Sequence, residues 1–355
     1  MAELTDLLMK MLRLLPPEAA HHVALRALAG DGLRGASSAV DPLLACRRWG
    51  LDFRNPIGLA AGFDKDGEAW RGALRLGFGF VEIGSVTKLP QPGNPKPRLF
   101  RVPELRAVVN RMGFNSAGHE AVAARLADRD RARGIVGVNL GKNKDQDDAA
   151  ADYVAGVARF GPLADYLVVN VSSPNTAGLR ALQARVALEA LLGRVMAARD
   201  ALAVRPPLLL KVSPDLNTDE RRDVAEVALA ARIDGLIASN TTTRRPTDPM
   251  RRHRHLAETG GLSGAPLFAP STDLLRDLYR LTEGKITLVG VGGIGSGLDA
   301  YRKIRAGASL VQLYTALVYA GPGLVAQISR DLAECLREDG FASVDAAVGA
   351  DHRAG

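Results

Sequence analysis

The chain has 355 residues, 47% of them hydrophobic, which is ample for one large globular core, and it carries a net charge of +7 with a sequence pI near 9.6. Its two cysteines, Cys46 and Cys335, exclude a disulfide framework and fit a reduced compartment. The basic balance fits an anionic lipid surface or nucleic acid, but much of it sits in arginine-dense loops such as Arg244-Arg245 and 251–254, which are ordinarily just solvated. No internal repeat, zinc-ligand spacing or low-complexity linker occurs.

The first segment is amphipathic. Over Leu4–Leu15, Leu4, Leu7, Leu8, Met11, Leu12 and Leu15 share one helical face, and Glu3, Asp6, Lys10 and Arg13 lie opposite. Pro16-Pro17 breaks this helix, and Glu18–Ala29 reads as a second. The apolar stretch is too short and too charged to span a bilayer, which takes about 20 residues. Glu3 and Asp6 argue against a signal peptide, although Ala27-Leu-Ala-Gly30 loosely mimics a cleavage site. By itself such a helix is expected to pack on the body of the protein.

From Asn55 onward, eight short runs rich in Val, Ile and Leu read as strands covered on both faces: Pro56–Ala61, Gly79–Ile83, Ile135–Asn139, Tyr166–Val171, Pro207–Val212, Gly235–Ser239, Thr287–Val291 and Ser309–Leu313. Helical periodicity separates them over Ala117–Arg131, Leu182–Ala203, Thr218–Arg232, Thr272–Leu281 and Leu298–Ala306. Asn217 with Glu220 predicts a capping box. Alternation of this kind predicts a parallel (β/α)8 TIM barrel, which takes about 250 residues, with a small N-terminal helical extension. A doubly wound open sheet is the alternative, but no Gly-x-Gly-x-x-Gly opens the first unit. The expected organisation is an N-terminal segment over 1–40, a barrel over 41–340 and a loose tail over 341–355.

Polar groups gather where these strands end. Lys65 follows the first, Ser85 and Thr87 the second, Asn139 closes the third, Asn170-Val-Ser-Ser-Pro-Asn-Thr-Ala-Gly178 leaves the fourth, Lys211 lies in the fifth, Ser239-Asn-Thr241 follows the sixth and Tyr314-Thr315 the eighth. In a barrel all of them converge on the C-terminal mouth, where catalysis in this fold is found. Alone, the 170–178 motif reads equally well as an Asn/Ser/Pro turn. The run Gly290-Val-Gly-Gly-Ile-Gly-Ser-Gly297 ends the seventh strand and opens a helix, the position where barrels commonly bind phosphate through backbone N–H groups. Gly260–Gly264 adds a further backbone donor. Lys211 suits a ring that becomes anionic on reduction, such as the N1–O2 edge of a flavin.

Asn55–Gly67, Asn110-Arg-Met-Gly-Phe-Asn115, Asn139–Lys144, Asn170–Arg180, Ser239–Thr242, Gly260–Gly264 and Gly290–Gly293 together, in order over nearly the whole chain, resemble dihydroorotate dehydrogenases of class 2, the membrane-associated, quinone-reducing branch. The resemblance implies FMN in a (β/α)8 barrel and oxidation of dihydroorotate to orotate in pyrimidine synthesis. It implies Ser173 as the base, and Lys65, Asn110, Arg111, Met112, Gly113, Phe114, Asn170, Asn175, Asn240 and Thr241 as the substrate site. It implies FMN contacts from Ala60, Ala61, Gly62, Lys65, Ser85, Asn139, Asn170, Lys211, Ser239, Gly264, Gly293, Tyr314 and Thr315, and a quinone tunnel lined by His21, Arg101 and Tyr314. Phe114 is expected to exclude water above Ser173. A serine is a poor base at neutral pH, so activation or a relay is required, with Thr176 or a water nearest.

Departures from the family pattern are small. Ala177 stands where a proline is common, Ser85 and Ser239 stand for threonines, and no cysteine lies in the base loop, unlike class 1 enzymes. The resemblance also turns the N-terminal helices from a packing cap into a monotopic contact on the cytoplasmic side of a cell membrane, with no nucleic acid and no obligate protein partner expected. Two other readings have less support: a tRNA dihydrouridine synthase lacks its expected cysteine and RNA-binding extension, and a non-catalytic pyrimidine-binding protein would not need both Lys65 and Ser173.

Overall fold

The computed structural model describes residues 10–30, 40–248 and 253–353. Of the first amphipathic helix, residues 10–14 are helical and residues 1–9 lie outside the described residues. A helix α1, Pro17–Ala29, follows the proline break.

All eight expected strands form, and they close on themselves. Numbered with the other strands in chain order, they are β3 (Ile57–Leu59), β4 (Phe80–Val86), β7 (Ile135–Leu140), β8 (Tyr166–Asn170), β9 (Leu208–Val212), β10 (Gly235–Ala238), β12 (Thr287–Val291) and β13 (Leu310–Leu313). Their order is that of the chain, and β13 pairs in parallel with β3 to complete the barrel. The open sheet is thereby excluded. Nearly every strand residue is buried because helices cover the outside and side chains fill the inside. The Asn217 capping box is present: Asn217 Oδ1 accepts the Glu220 N–H at 3.0 Å and Glu220 Oε2 accepts the Asn217 N–H at 2.7 Å.

The inside of the barrel is layered by the two-residue period of its strands. Near the N-terminal ends, Phe80 and Tyr166 fill the lumen against Gly58 and Gly137, where a Cβ would lie 2.3 and 2.1 Å from their rings. A hairpin of β1 (Cys46–Arg48) and β2 (Leu51–Phe53) plugs this end, setting Trp49 and Phe53 against the same two aromatics. One layer up the lumen turns polar, with Glu82, Asn139, Lys211 and Gln312 all buried.

Two parts of the fold differ from expectation. An antiparallel sheet of β5 (Leu99–Val102), β6 (Ala107–Asn110) and β11 (Gly261–Gly264) stands apart from the barrel around its own small core of Phe100, Val102, Ala107, Val109 and Leu262. Residues 341–353, expected as a loose tail, are packed: Val344 and Ala347 are fully buried, Asp345 pairs with Arg48 at 2.6 Å and Asp351 with Arg305 at 2.7 Å. The small residues that suggested looseness are what let this segment lie flat on the barrel.

That packing has a measurable consequence. Val344→Ala is expected to destabilise the protein by about 2 kcal/mol, read as a lowered midpoint of urea unfolding; a loose tail would leave the midpoint unchanged.

Candidate functional site

The C-terminal ends of the strands carry a continuous hydrogen-bonded set of amides and hydroxyls. Asn170, the last residue of β8, is its hub. Its Nδ2 donates to Ser85 Oγ at 2.9 Å and to Asn139 Oδ1 at 3.2 Å, and its Oδ1 accepts from Ser172 Oγ at 3.1 Å and Asn240 Nδ2 at 3.2 Å. Strands β4, β7, β8 and the loop after β10 are thus joined through side chains that leave their strand ends on the same side of the barrel. Below them the buried Glu82 carboxylate accepts from Asn139 Nδ2 at 2.8 Å and Gln312 Nε2 at 2.7 Å, with Lys211 Nζ 3.5 Å away.

Asn110 arrives from a different element. It ends β6, its Oδ1 accepts from Asn175 Nδ2 at 3.1 Å, and its own Nδ2 donates to Gly261 O at 3.3 Å. The small antiparallel sheet therefore reaches the loop that carries Ser173. Ser173 is 6% exposed, and its Oγ accepts the Asn175 N–H at 3.3 Å. Thr176, the nearest relay candidate, makes no hydrogen bond to Ser173 among the described residues, so the partner of the Ser173 hydroxyl is backbone. Phe114, held at φ +53°, lies beside Gly141 and Ser85, where a Cβ on Gly141 would be 3.1 Å from its ring. Arg111 pairs with Glu258 at 2.6 Å and sits over the Phe100 ring, so it braces the small sheet. Met112 lines the cavity beneath α1, and Gly113 lies in left-handed backbone against Asn94.

Sequence reasoning missed the brace behind these loops. Arg180 donates to Ser172 O at 3.2 Å and Thr241 O at 3.0 Å, and pairs with Asp215 at 2.9 Å. Asp215 in turn holds Thr242 and Thr243. Asn94, whose amide donates to Arg111 O and Asn175 O, is a second such brace. Their signal was present, since Arg180 closes the Asn170–Arg180 motif, but nothing in one dimension says that a loop arginine points inward.

On the other side of the mouth the backbone does the holding. Ala60 N–H donates to Leu313 O at 3.0 Å and Gly62 N–H to Gly84 O at 2.8 Å, which fixes the loop through Ala61. Lys65 Nζ donates to Gly62 O at 2.6 Å, and burial pushes its ammonium down to about 8. After β12, Gly292 and Gly293 take φ of +120° and +77°, and a Cβ on Gly293 would stand 2.5 Å from the Phe268 backbone. The N–H groups of Gly293 and Ile294 donate to no protein acceptor among the described residues. Thr315 Oγ1 donates to Ser263 Oγ at 2.8 Å, which ties Gly264 and its strand to the end of β13. Ser239 Oγ donates to Asn240 O at 3.0 Å. Turned glycines with free N–H groups, a buried lysine, and a ring of amides form a donor set that fits a flavin bearing an anionic group.

His21 and Tyr314 meet. The Tyr314 hydroxyl lies 3.4 Å from His21 Nδ1, and Phe63 stands edge-on to both rings at 5.3 Å. Burial and the nearby Lys65 charge push His21 down to about 3. Arg101 is not part of this contact: its guanidinium donates to the carbonyls of Arg13 at 2.8 Å and Leu15 at 3.1 Å, clasping the end of the first helix. Glu18 on α1 pairs with the buried Arg98 at 2.7 Å. A cavity of about 340 Å³ runs between α1 and the mouth, lined by His21, Leu25, Phe63, Lys65 and Met112 among others.

With that geometry in view, the likeness to known proteins is informative. A family model for dihydroorotate dehydrogenase matches residues 43–336. The chain belongs to the dihydroorotate dehydrogenase family, in its quinone-dependent, class 2 branch. It is 60% identical over 342 residues to the dihydroorotate dehydrogenase (quinone) of Rhodospirillum rubrum, covering 96% of this chain and 92% of the relative. It is 57% identical to that of Azorhizobium caulinodans over 99% of this chain and all of the relative, and 54% identical to the mitochondrial one of Mus musculus over 96% and 88%. Among solved structures, the ferulenol-bound DHODH of Eimeria tenella superposes with a TM-score of 0.91 at 43% identity, covering 95% of this chain and 96% of that one. Members of this family are flavoproteins, and the donor set described above agrees.

The His21 environment is directly testable. Its imidazole is expected to stay neutral from pH 8 down to pH 5, so its Cε1–H resonance should not titrate in that range. The buried His119, pushed down to about 4 by burial, should behave alike. Because the unfolded chain binds these protons near pH 6.5 and the folded chain does not, their contribution to stability is lost as pH falls below that value.

Proposed function

We propose that the chain oxidises dihydroorotate to orotate with FMN as cofactor and a membrane quinone as final electron acceptor, acting in pyrimidine synthesis. The observation that carries the reading is the meeting of two amide pairs, Asn170 with Asn240 and Asn110 with Asn175, beside Ser173. Dihydroorotate is a ring of alternating amide donors and acceptors with one carboxylate, and only side-chain amides offer both functions from one group. Each asparagine is already fixed by a neighbour, so the orientation of its free valences is set before substrate enters.

When bound, the flavin supplies a hydride acceptor for C6 of the substrate. The chain's own task is then to hold the ring and take the C5 proton. Ser173 Oγ suits that task geometrically, because the Asn175 N–H occupies one lone pair and leaves another to receive the proton, while the hydroxyl hydrogen is free to pass to a water. Arg180 and Asp215 keep Ser172 and Thr241 in register, so base and substrate amides are held by one brace. Lys65 contributes positive charge beside the mouth, and Lys211, steadied by Glu82, would hold the flavin's N1–O2 edge.

The N-terminal segment supports a quinone role. No described helix is long and apolar enough to cross a membrane. Met11, Leu14, Leu15 and Val23 nonetheless present large apolar side chains to solvent, Leu14 at 86% exposure, and Val23 belongs to α1, whose His21 and Leu25 line the cavity. An apolar, outward-facing roof over a cavity leading to the site fits a monotopic contact with the cytoplasmic face of a membrane, through which a lipid-soluble acceptor enters. Residues 1–40 then serve the acceptor and the barrel serves the substrate.

Two measurements test this. Ser173→Ala is expected to retain FMN and bind orotate, yet slow flavin reduction by dihydroorotate roughly 100- to 10,000-fold in stopped flow, with Ser172→Ala as the control for loop damage. Equal losses in both would indicate loop damage rather than chemistry, and a loss well below 100-fold in Ser173→Ala would place the base elsewhere. Met11→Glu/Leu14→Glu is expected to leave that half-reaction intact while weakening binding to anionic vesicles and reoxidation by a long-tailed quinone by about tenfold or more. Full vesicle binding and full quinone turnover in the double variant would reduce these helices to a packing cap.

A further inference from the structure

Behind the glycine-rich loop that follows β12 lies a lysine that the reaction does not use. Lys303 belongs to the helix Gly297–Arg305, which that loop opens. Its side chain is completely buried. Nζ donates to Ser271 Oγ at 2.6 Å and stands 5.0 Å from the centre of the Phe268 ring. Ser271 Oγ is in turn 3.2 Å from Gly292 O, and the aliphatic stem of Lys303 packs under Gly290, where a Cβ would lie 3.3 Å from its Cδ. The ammonium is therefore wedged between the loop and the first turn of the neighbouring helix Phe268–Leu281.

No carboxylate lies within ion-pairing distance of Nζ among the described residues. That is unusual chemistry, because an ammonium taken out of water without a counter-charge is strongly disfavoured. Burial pushes it down to about 7. Asp299 on its own helix and Asp273 on the helix beside it act against that shift, while Arg276 on the same neighbouring helix adds to it. The strands beneath, β12 and β13, bring no ionisable side chain, and the helix Leu324–Glu338 on the outer side brings Asp331 only against Gly297. Close to the ammonium stand only Ser271 Oγ and the Phe268 ring among the described residues, so it calls for a nearer negative charge than Asp299 and Asp273 supply. The loop in front of it, with its turned glycines and free N–H groups, is where such a charge would sit.

We propose that Lys303 is the buried counter-charge for the phosphate of FMN, taking up a proton as the phosphate seats on the Gly290–Gly297 loop and so giving the site its preference for FMN over riboflavin. This rests on the reading that the loop holds the phosphate. Above pH 7 the phosphate monoester is essentially a dianion, its second pKa being about 6, so a proton taken up there belongs to the protein.

The test uses full-length, flavin-stripped protein and follows binding of FMN and of riboflavin by quenching of flavin fluorescence and by calorimetry. Wild-type protein should prefer FMN and, at pH 8 in buffers of differing ionisation enthalpy, take up most of one proton with FMN and none with riboflavin. Lys303→Met should lose roughly 10- to 100-fold in FMN affinity, lose the proton uptake and bind riboflavin as before. A variant that keeps both the FMN preference and the uptake, or that weakens equally for both flavins, overturns the role of Lys303. Absence of proton uptake in the wild type overturns it without any variant, which covers the case of a misfolded mutant. If wild-type protein does not distinguish FMN from riboflavin at all, the phosphate reading of the loop fails first, whatever Lys303 does.

Discussion

The buried carboxylate of Glu82 is the constraint around which the upper half of the barrel is arranged. It lies in the lumen, fully excluded from water, where an isolated charge would be prohibitively expensive. Four groups from four other strands offset that cost: Lys211 of β9 at 3.5 Å, Asn139 of β7 at 2.8 Å, Gln312 of β13 at 2.7 Å and Tyr166 of β8 at 3.4 Å. Burial and the adjacent carboxylate push the Tyr166 phenol well above its ordinary value, so it remains a donor. Because each contact joins a different strand to one atom pair, the register of half the barrel is specified by polar geometry rather than by apolar packing alone.

From this layer the site rises in steps. Asn139 passes the arrangement to Asn170 and Ser85, and Asn170 passes it to Ser172 and Asn240. Lys211 is pinned at the base of the same stack. A shift of one strand would turn Glu82 outward and disconnect the whole column, since neighbouring strand positions face opposite sides. The aromatic layer below, closed by the β1–β2 hairpin, keeps water from reaching Glu82 from the N-terminal end.

The second organising element is external to the barrel. The small antiparallel sheet delivers Asn110 to the Ser173 loop, is tied to the end of β13 through Ser263 and Thr315, and is buttressed by Tyr319 donating to Ala107 O at 2.6 Å. Helix α1 is anchored beside it by the Glu18–Arg98 pair and by close approach to the helix Trp70–Arg75, where a Cβ on Gly72 would fall 2.0 Å from Leu28 O. The apolar side chains that α1 and the preceding turn expose are thus held on a fixed frame next to the cavity, and the roof is not a separately folding unit.

Strand identity, strand number and the polar character of the strand ends were legible in the sequence because all three depend on local pattern: apolar runs of five or six residues, helical periodicity between them, and glycine or asparagine where the chain leaves the sheet. The motifs whose asparagines and serines meet at the mouth were legible too, through their family resemblance. What one dimension could not carry was partnership between distant residues. Leu99–Val102, flanked by Pro97 and Pro103, and the glycine-bounded Gly261–Gly264 are too short to read as strands until Ala107–Asn110 stands between them. Arg180 and Lys303 look like surface cations by type, and only the fold turns one toward two loop carbonyls and buries the other without a carboxylate. The segment after Phe341 shows the same limit in reverse, packed rather than loose. The sequence by itself determined the barrel and the chemistry of its mouth, because periodicity and residue type are local quantities. Tertiary structure decided which charges are buried and what each one faces, because desolvation and pairing depend on neighbours far away in sequence, 230 residues in the case of Glu82 and Gln312.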